Sequence, residues 1–274
     1  MPMTLPKRAW TDMTWEEIAR AGEGARRWIA VLPLAAVEQH GPHLPLGVDS
    51  FIAEAYLSRV FEILPADLAA TFLPLQRIGV SVEHVEYAGT LSLSAVTAVA
   101  AWTEIGESLA RAGLRKLVFV TSHGGNVAAM ELVARDLRAR FGILAVTVGW
   151  HRFGYPQETF SSEEKRHGIH GGDIETSLML AARPDTVSMN KAARAAPASL
   201  DMAREFKWLS VSRPAEFAWM TQDLHATGAL GDATLATAAK GEAALLHGAR
   251  AFVELLQEVD RFDLSRLKEG PLRP

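Results

Sequence analysis

The 274-residue chain contains no cysteine. That absence excludes a disulfide scaffold, a thiolate metal site and a cysteine nucleophile. No apolar run approaches the ~20 residues that a membrane-spanning helix needs. The opening decapeptide MPMTLPKRAW has no apolar stretch after its basic residues. A secretory signal is therefore not expected, and the cytoplasm is the expected location. Excess positive charge is missing too, since the formal net charge is -4. Nucleic acid and anionic membrane surfaces favour a basic patch, so neither is expected as a partner. There is no internal repeat and no low-complexity tract.

What is present is an ordinary globular composition, 49% hydrophobic and 22% charged, long enough to bury a large core. Length alone allows one large domain or two small ones. Apolar runs at 28–34, 69–75, 116–121 and 143–149 predict buried strands. Helical periodicity predicts helices over 14–21, 50–64, 94–112, 126–141, 173–182 and 233–259. Their ends carry recognisable signals. Thr14 with Glu17 forms a capping box, and Ser94 is an N-cap. Gly113 and Gly142 end helices, and Pro65 and Pro184 stop them. The last helix is Ala-rich, with a weak point expected at Gly241 or Gly248. Residues 192–230 are expected to be loops covering a site. Strands alternating with helices predict an α/β fold with parallel strands and helices on both faces.

In such a sheet, ligands bind beyond the carboxyl ends of the strands. The unusual polar residues fall there. Glu38, His40, His43 and Asp49 follow the first strand. Glu83 and His84 follow the second, His123 the third, and Trp150 and His151 the fourth. His167, His170, Asp173 and Glu175 come in the next connection. Without cysteine, a metal must sit on imidazole and carboxylate, a donor set suited to zinc, manganese, iron or cobalt. Glu38 and His40 are two apart, so in an extended segment both point the same way. A carboxylate can bridge two ions, and a two-metal site makes hydroxide available near neutral pH.

Each candidate has a plainer alternative. Glu38 and His40 alone fit a surface loop. His43 fits a structural histidine or one that orients a ligand. His123 fits a tight turn, with Asn126 capping the following helix. Asp173 and Glu175 fit the acidic first turn of a helix. His151 and His167 read as loop residues, and His225 and His247 as surface or packing residues.

Three blocks share a pattern. Residues 32–49, with EQHGPHLPLGVD, resemble the creatininase (creatinine amidohydrolase) family; so do SHGGN at 122–126 and HGGDIETS at 170–177. Glu83-His84 with Gly89-Thr90-Leu91, and residues 228–242, echo it more weakly. The blocks cover most of the chain in the family's order. The resemblance implies a single domain over 1–274, a three-layer α/β/α sandwich with a mostly parallel central sheet. It implies a metal-dependent hydrolase that cleaves a C–N bond of a small amide, cyclic amide or formamide. It further implies two divalent ions, zinc first with manganese or iron as alternatives, and a homo-oligomer, commonly a hexamer. Carried over by position, Glu38 and His123 hold one ion, His40 the other, and Asp49 bridges them. His170 matches a catalytic histidine beside the leaving nitrogen.

The pattern departs in one place. Creatininase itself carries Tyr-Glu after the histidine of the second block, and that Glu is a ligand; here Gly124 and Gly125 stand instead. Glu175 is the expected replacement, as ligand and as a catalytic group. The tryptophans that enclose creatinine have no clear counterpart. Relatives with the Gly-Gly form include deformylases and a peptidase of cofactor maturation. The expected reaction is attack of a metal-activated hydroxide on an amide carbonyl, with His170 delivering a proton to the departing nitrogen. Glu83, His84 and Trp150 are expected to shape the pocket for a small-molecule substrate. The alternatives are a deformylase or small peptidase on the same centre, or a non-catalytic metal-stabilised binding subunit.

Overall fold

The computed structural model describes residues 5–212 and 214–270. The first four residues of the MPMTLPKRAW segment and the last four of the expected 1–274 domain lie outside the described residues. Helix α1 (Trp15–Ala21) has the expected capping box: the Glu17 amide donates to Thr14 Oγ1, and the Thr14 amide donates to Glu17 Oε2. Strand β1 (Ile29–Leu34) leads to α2 (Val48–Ile63), which starts two residues before the expected position. Asp49 thereby falls in its first turn. Strand β2 (Ala70–Phe72) is shorter than expected. Pro74 has no amide to donate, so pairing to β1 lapses there and resumes only as an isolated bridge between Leu34 and Gln76.

Next come α3 (Ala95–Arg111), β3 (Lys116–Thr121), α4 (Val127–Phe141) and β4 (Leu144–Gly149). Ser94 caps α3 by accepting from the Thr97 amide. Gly142, at φ 64°, closes α4. Asn126 does not cap α4: its side chain accepts from the Val80 amide and donates to the Ala35 carbonyl, joining three segments at the strand ends. The chain continues through α5 (Ser162–His167), α6 (Asp173–Ala182), β5 (Arg194–Ala195), α7 (Ser199–Glu205), β6 (Leu209–Ser210) and β7 (Ala215–Glu216). It ends with α8 (Thr221–Leu224), β8 (Gly231–Asp232) and α9 (Ala238–Arg261). The stretch expected as loops thus holds short elements of its own, packed around Val211, Leu224 and Leu230.

The main sheet has the order β2-β1-β3-β4, with every pair parallel. Alternation along each strand builds two cores. Ile29, Val31, Val118 and Val120 face α2, α6 and α9. Ala30, Leu32, Leu34, Leu117 and Phe119 face α3 and α4. This is the expected three-layer α/β/α arrangement. Helix α9 runs unbroken through Gly241 and Gly248. A Cβ at Gly241 would fall on the Ser177 carbonyl and one at Gly248 on the Tyr56 ring, so both glycines mark close packing and not a weak point. Among the described residues no helix is long and apolar enough to cross a membrane.

Candidate metal centre

The chain leaves β1 and crosses to α2 on one side, and the next central strand, β3, sends its helix to the other. The carboxyl ends of β1 and β3 therefore form a topological switch point, where a crevice opens. Five segments deliver polar side chains to it. Glu38 and His40 come from the loop after β1, Asp49 from the first turn of α2, and Glu83 and His84 from the turn after β2. His123 follows β3, and His170 and Glu175 flank the start of α6. Glu38, His40 and Asp49 are almost fully buried, and His84, His123 and His170 are buried as well.

Main-chain carbonyls fix three of the imidazoles. A carbonyl only accepts, so the ring nitrogen facing it carries the proton. His40 Nδ1–H donates to the Glu38 carbonyl (3.1 Å) and His123 Nε2–H to the Val80 carbonyl (2.7 Å). His170 Nε2–H donates to the Gln39 carbonyl (2.5 Å). Each opposite nitrogen then faces inward, where its lone pair would meet a metal ion. His40 Nε2 lies 3.9 Å from Glu38 Oε1, 3.9 Å from Asp49 Oδ2 and 3.8 Å from Glu175 Oε2. His123 Nδ1 lies 3.2 Å from Glu38 Oε1 and 3.8 Å from Asp49 Oδ2. Metal-binding histidines are oriented this way, through the nitrogen that does not bind.

The donor atoms sort into sets that span no more than 4.8 Å: Glu38–Asp49–His123, His40–Asp49–Glu175 and Glu38–His40–His170. Asp49 belongs to the first two. Both carboxylate oxygens of Glu38, His40 Nε2 and Asp49 Oδ2 are buried without a hydrogen-bond partner. An unpaired buried polar atom costs about 1–3 kcal/mol, more when charged. Four of them converging on one crevice fit a pair of divalent cations, which would satisfy all four. Imidazole and carboxylate together are the donor set of a zinc or manganese centre.

The electrostatics agree. Burial, then the charge of Glu38, pushes the Asp49 carboxyl well above its usual range. Burial, reinforced by His170, holds the His40 ring well below its usual value, so it is neutral and ready to coordinate. Burial works against a charge on Glu38, yet His123, His84 and His170 together hold its carboxyl low. Burial opposes a charge on His123 as well, but Glu38, Asp49 and Glu83 outweigh it and raise the ring to about 10. With protein groups alone, a proton on His123 offsets the crowded carboxylates. A divalent ion would displace that proton.

A family model described as "Creatininase: Creatinine amidohydrolase" matches residues 11–256. The chain belongs to the creatininase family. Among curated relatives, a "Mycofactocin precursor peptide peptidase" from Mycobacterium tuberculosis (strain ATCC 25618 / H37Rv) is 34% identical over 223 residues, 77% of each chain. A "Creatinine amidohydrolase" from Pseudomonas putida is 30% identical over 205 residues, 69% of this chain and 76% of the other. Among solved structures, "Creatininase Mn" superposes with a TM-score of 0.72 at 28% identity, covering 92% of this chain and 98% of that one.

Measured against this creatininase-family fold, most of the expected site residues come together. Glu38, His40, Asp49, Glu83, His84, His123, His170 and Glu175 share the crevice. Glu83 Oε1 stands 3.6 Å from His123 Nε2, and His84 and His40 stack on either face of His170, with ring centroids 4.2 and 4.1 Å away. Trp150 is a correction. Its ring stacks on Tyr56, 4.3 Å between centroids, and packs against Phe153 and Phe252 in the core between the sheet and α9. It is 3% exposed and belongs to the core cluster packed under α2, α6 and α9. A position at a strand's carboxyl end does not decide which layer its ring enters. His43 keeps its structural reading, with Nε2 2.9 Å from Thr176 Oγ1. Asp173 is held by Lys240 Nζ at 2.6 Å and accepts from Ser177 Oγ, so it anchors α6 to α9. Gln39 was not among the expected residues, although it lies between two of them; its side chain reaches His84, His170 and Gly228.

Proposed function

We propose that this protein is a two-metal amidohydrolase that cleaves the C–N bond of a small amide, cyclic amide or formamide. The observation that carries this reading is Asp49, shared between two ligand sets among buried donor atoms that otherwise lack partners. Glu38, Asp49 and His123 would hold one divalent ion; His40, Asp49 and Glu175 would hold the other. When bound, the ions supply a water of lowered pKa and polarise the amide carbonyl.

The chain's own groups do the rest. Val80, Glu38 and Gln39 carbonyls keep three imidazoles in fixed tautomers. His170, with Nε2–H anchored on Gln39, presents Nδ1 toward Glu38 at 3.8 Å and moves the proton that the departing nitrogen needs. Glu175 is the ligand carboxylate nearest solvent, its side chain 20% exposed, and shares in that proton traffic. Glu83 and His84 wall the substrate side. Residues 1–274 form one such domain, acting in the cytoplasm as a homo-oligomer, for which the family suggests a hexamer.

A second reading, a small peptidase on the same centre, has an observation of its own. A side chain at Gly124 would meet nothing within 4 Å, so the residue after His123 stands beside open space where creatininase carries a tyrosine. The curated peptidase relatives support this reading in kind. Metal analysis of the purified protein, with a hydrolysis screen of lactams including creatinine, formamides and short peptides, tests both. Two metals per chain with turnover of small amides is the expected result. Turnover confined to peptides selects the peptidase. Two metals without any turnover indicates a metal-stabilised binding subunit, and a protein that takes up no zinc, manganese or iron ends the metal reading.

A further inference from the structure

We infer that Gln39 is a positioning residue that holds His84 and His170 both in the Nε2–H tautomer, so that His170 offers a bare Nδ1 to the site and His84 offers an N–H. The functional consequence rests on the two-metal hydrolase reading, whereas the tautomers rest on hydrogen-bond geometry alone.

The orientation of the Gln39 amide is settled by its two ends. Oε1 accepts from the Gly41 amide at 2.9 Å, and Nε2 lies 3.1 Å from the Gly228 carbonyl. Turned over, the amide would set oxygen against oxygen at Gly228 and N–H against N–H at Gly41. Gln39 Nε2 is therefore a donor on both of its hydrogens. One goes to Gly228. His84 Nδ1, at 2.8 Å, takes the other. Thr221 Oγ1 lies 2.8 Å from His84 Nδ1 and 2.9 Å from the Glu83 carbonyl; its single proton, shared between these two acceptors, is compatible with a bare Nδ1. A proton on His84 Nδ1 would face the Gln39 N–H head-on. The His84 proton accordingly sits on Nε2, which lies 3.4 Å from Glu38 Oε1 without a hydrogen bond to it.

His170 is fixed by the same residue through its main chain, since Nε2–H donates to the Gln39 carbonyl. One residue thus gives two stacked imidazoles opposite tasks. His84 cannot bind metal through Nε2 and instead keeps the N–H end of its ring beside the Glu38 carboxylate. His170 keeps a lone pair on Nδ1. The packing is built around this amide: Gly228, at φ +78°, has no Cβ, and one placed there would fall on the Gln39 side chain.

The test is histidine 15N NMR on the metal-free, full-length protein, with signals assigned by their loss in His84→Gln and His170→Gln. Long-range proton–nitrogen correlations report which ring nitrogen carries the proton. In the wild type, both rings are expected to show a protonated Nε2 and a bare Nδ1. Gln39→Glu places an acceptor opposite His84 Nδ1, so the His84 proton moves to Nδ1, while His170, held by a main-chain carbonyl, stays unchanged. Thr221→Val leaves both tautomers as they are. A wild-type His84 protonated at Nδ1 overturns the inference, as does a flip in Thr221→Val or no change in Gln39→Glu. In the metal-loaded enzyme, Gln39→Glu lowers kcat by about 10- to 100-fold with little change in KM. Tautomers as stated without turnover of any amide would uphold Gln39's role and end the hydrolase reading. Turnover with the opposite tautomers would do the reverse.

Discussion

The two halves of the metal centre are built differently. The set Glu38–Asp49–His123 is buried throughout and rooted at the ends of β1 and β3, where the sheet is fully paired. The set His40–Asp49–Glu175 reaches across to α6, and its Glu175 side chain is 20% exposed. Glu175 Oε2 also accepts from the Gly171 amide at 2.6 Å, so part of its capacity is already used. A rigid, dry half should hold its ion tightly. A half that borrows a partly solvated carboxylate from another helix should exchange its ion more readily. Gly125 is part of this difference. A Cβ there would crowd the Val80 carbonyl, His123 and Glu83, which leaves Glu175 as the carboxylate proposed for the second ion.

Substitutions break this comparison in graded steps. Asp49→Asn removes the shared ligand, so both ions leave and turnover falls by far more than the ~100-fold typical of a change outside the ligand set; metal analysis beside an activity assay reads this directly. His170→Ala keeps both ions and lowers kcat by about 10²- to 10⁴-fold, the usual worth of a positioned acid or base. Glu175→Gln lowers the occupancy of the His40 ion and leaves the Glu38–His123 ion in place, and two full-occupancy ions in that variant would remove Glu175 from the ligand set.

The pH dependence follows from His123, raised to about 10 without metal. A raised folded-state value means the native protein holds a proton that the unfolded chain gives up near ~6.5. That stabilisation is complete below ~6.5 and is lost as pH climbs toward about 10. The metal-free protein should therefore melt at progressively lower temperature across this window. Metal affinity should move the other way, rising by up to about tenfold per pH unit as the ion displaces that proton. Parallel melting and metal titrations at several pH values check both slopes. The smallest effect is expected at Trp150→Phe: about 1–2 kcal/mol of stability, with metal content and kcat unchanged, because the ring belongs to the core.

Much of this architecture is legible in the sequence. Strands β1, β3 and β4 are short apolar runs bounded by turn residues, and α3 and α4 carry a Ser94 cap and a Gly142 stop. The convergence of Glu38, His40, Asp49 and His123 was legible because charged and imidazole groups cluster after strands. Other features depend on tertiary contacts that no local pattern encodes. Pro74 cut β2 short, and Asn126 left its cap position for carbonyls and amides of other segments. Gln39 is uncharged, and one of its partners, Gly228, lies 189 residues away. The direction of Trp150 was decided by the space between Tyr56 and Phe252, two residues that sequence proximity does not connect to it.

The most direct test is anomalous scattering from crystals of the protein loaded with zinc or manganese. Two peaks are expected, one against Glu38 and His123 and one against His40 and Glu175, with Asp49 between them. A single peak, or two peaks that do not share Asp49, would contradict the two-metal centre.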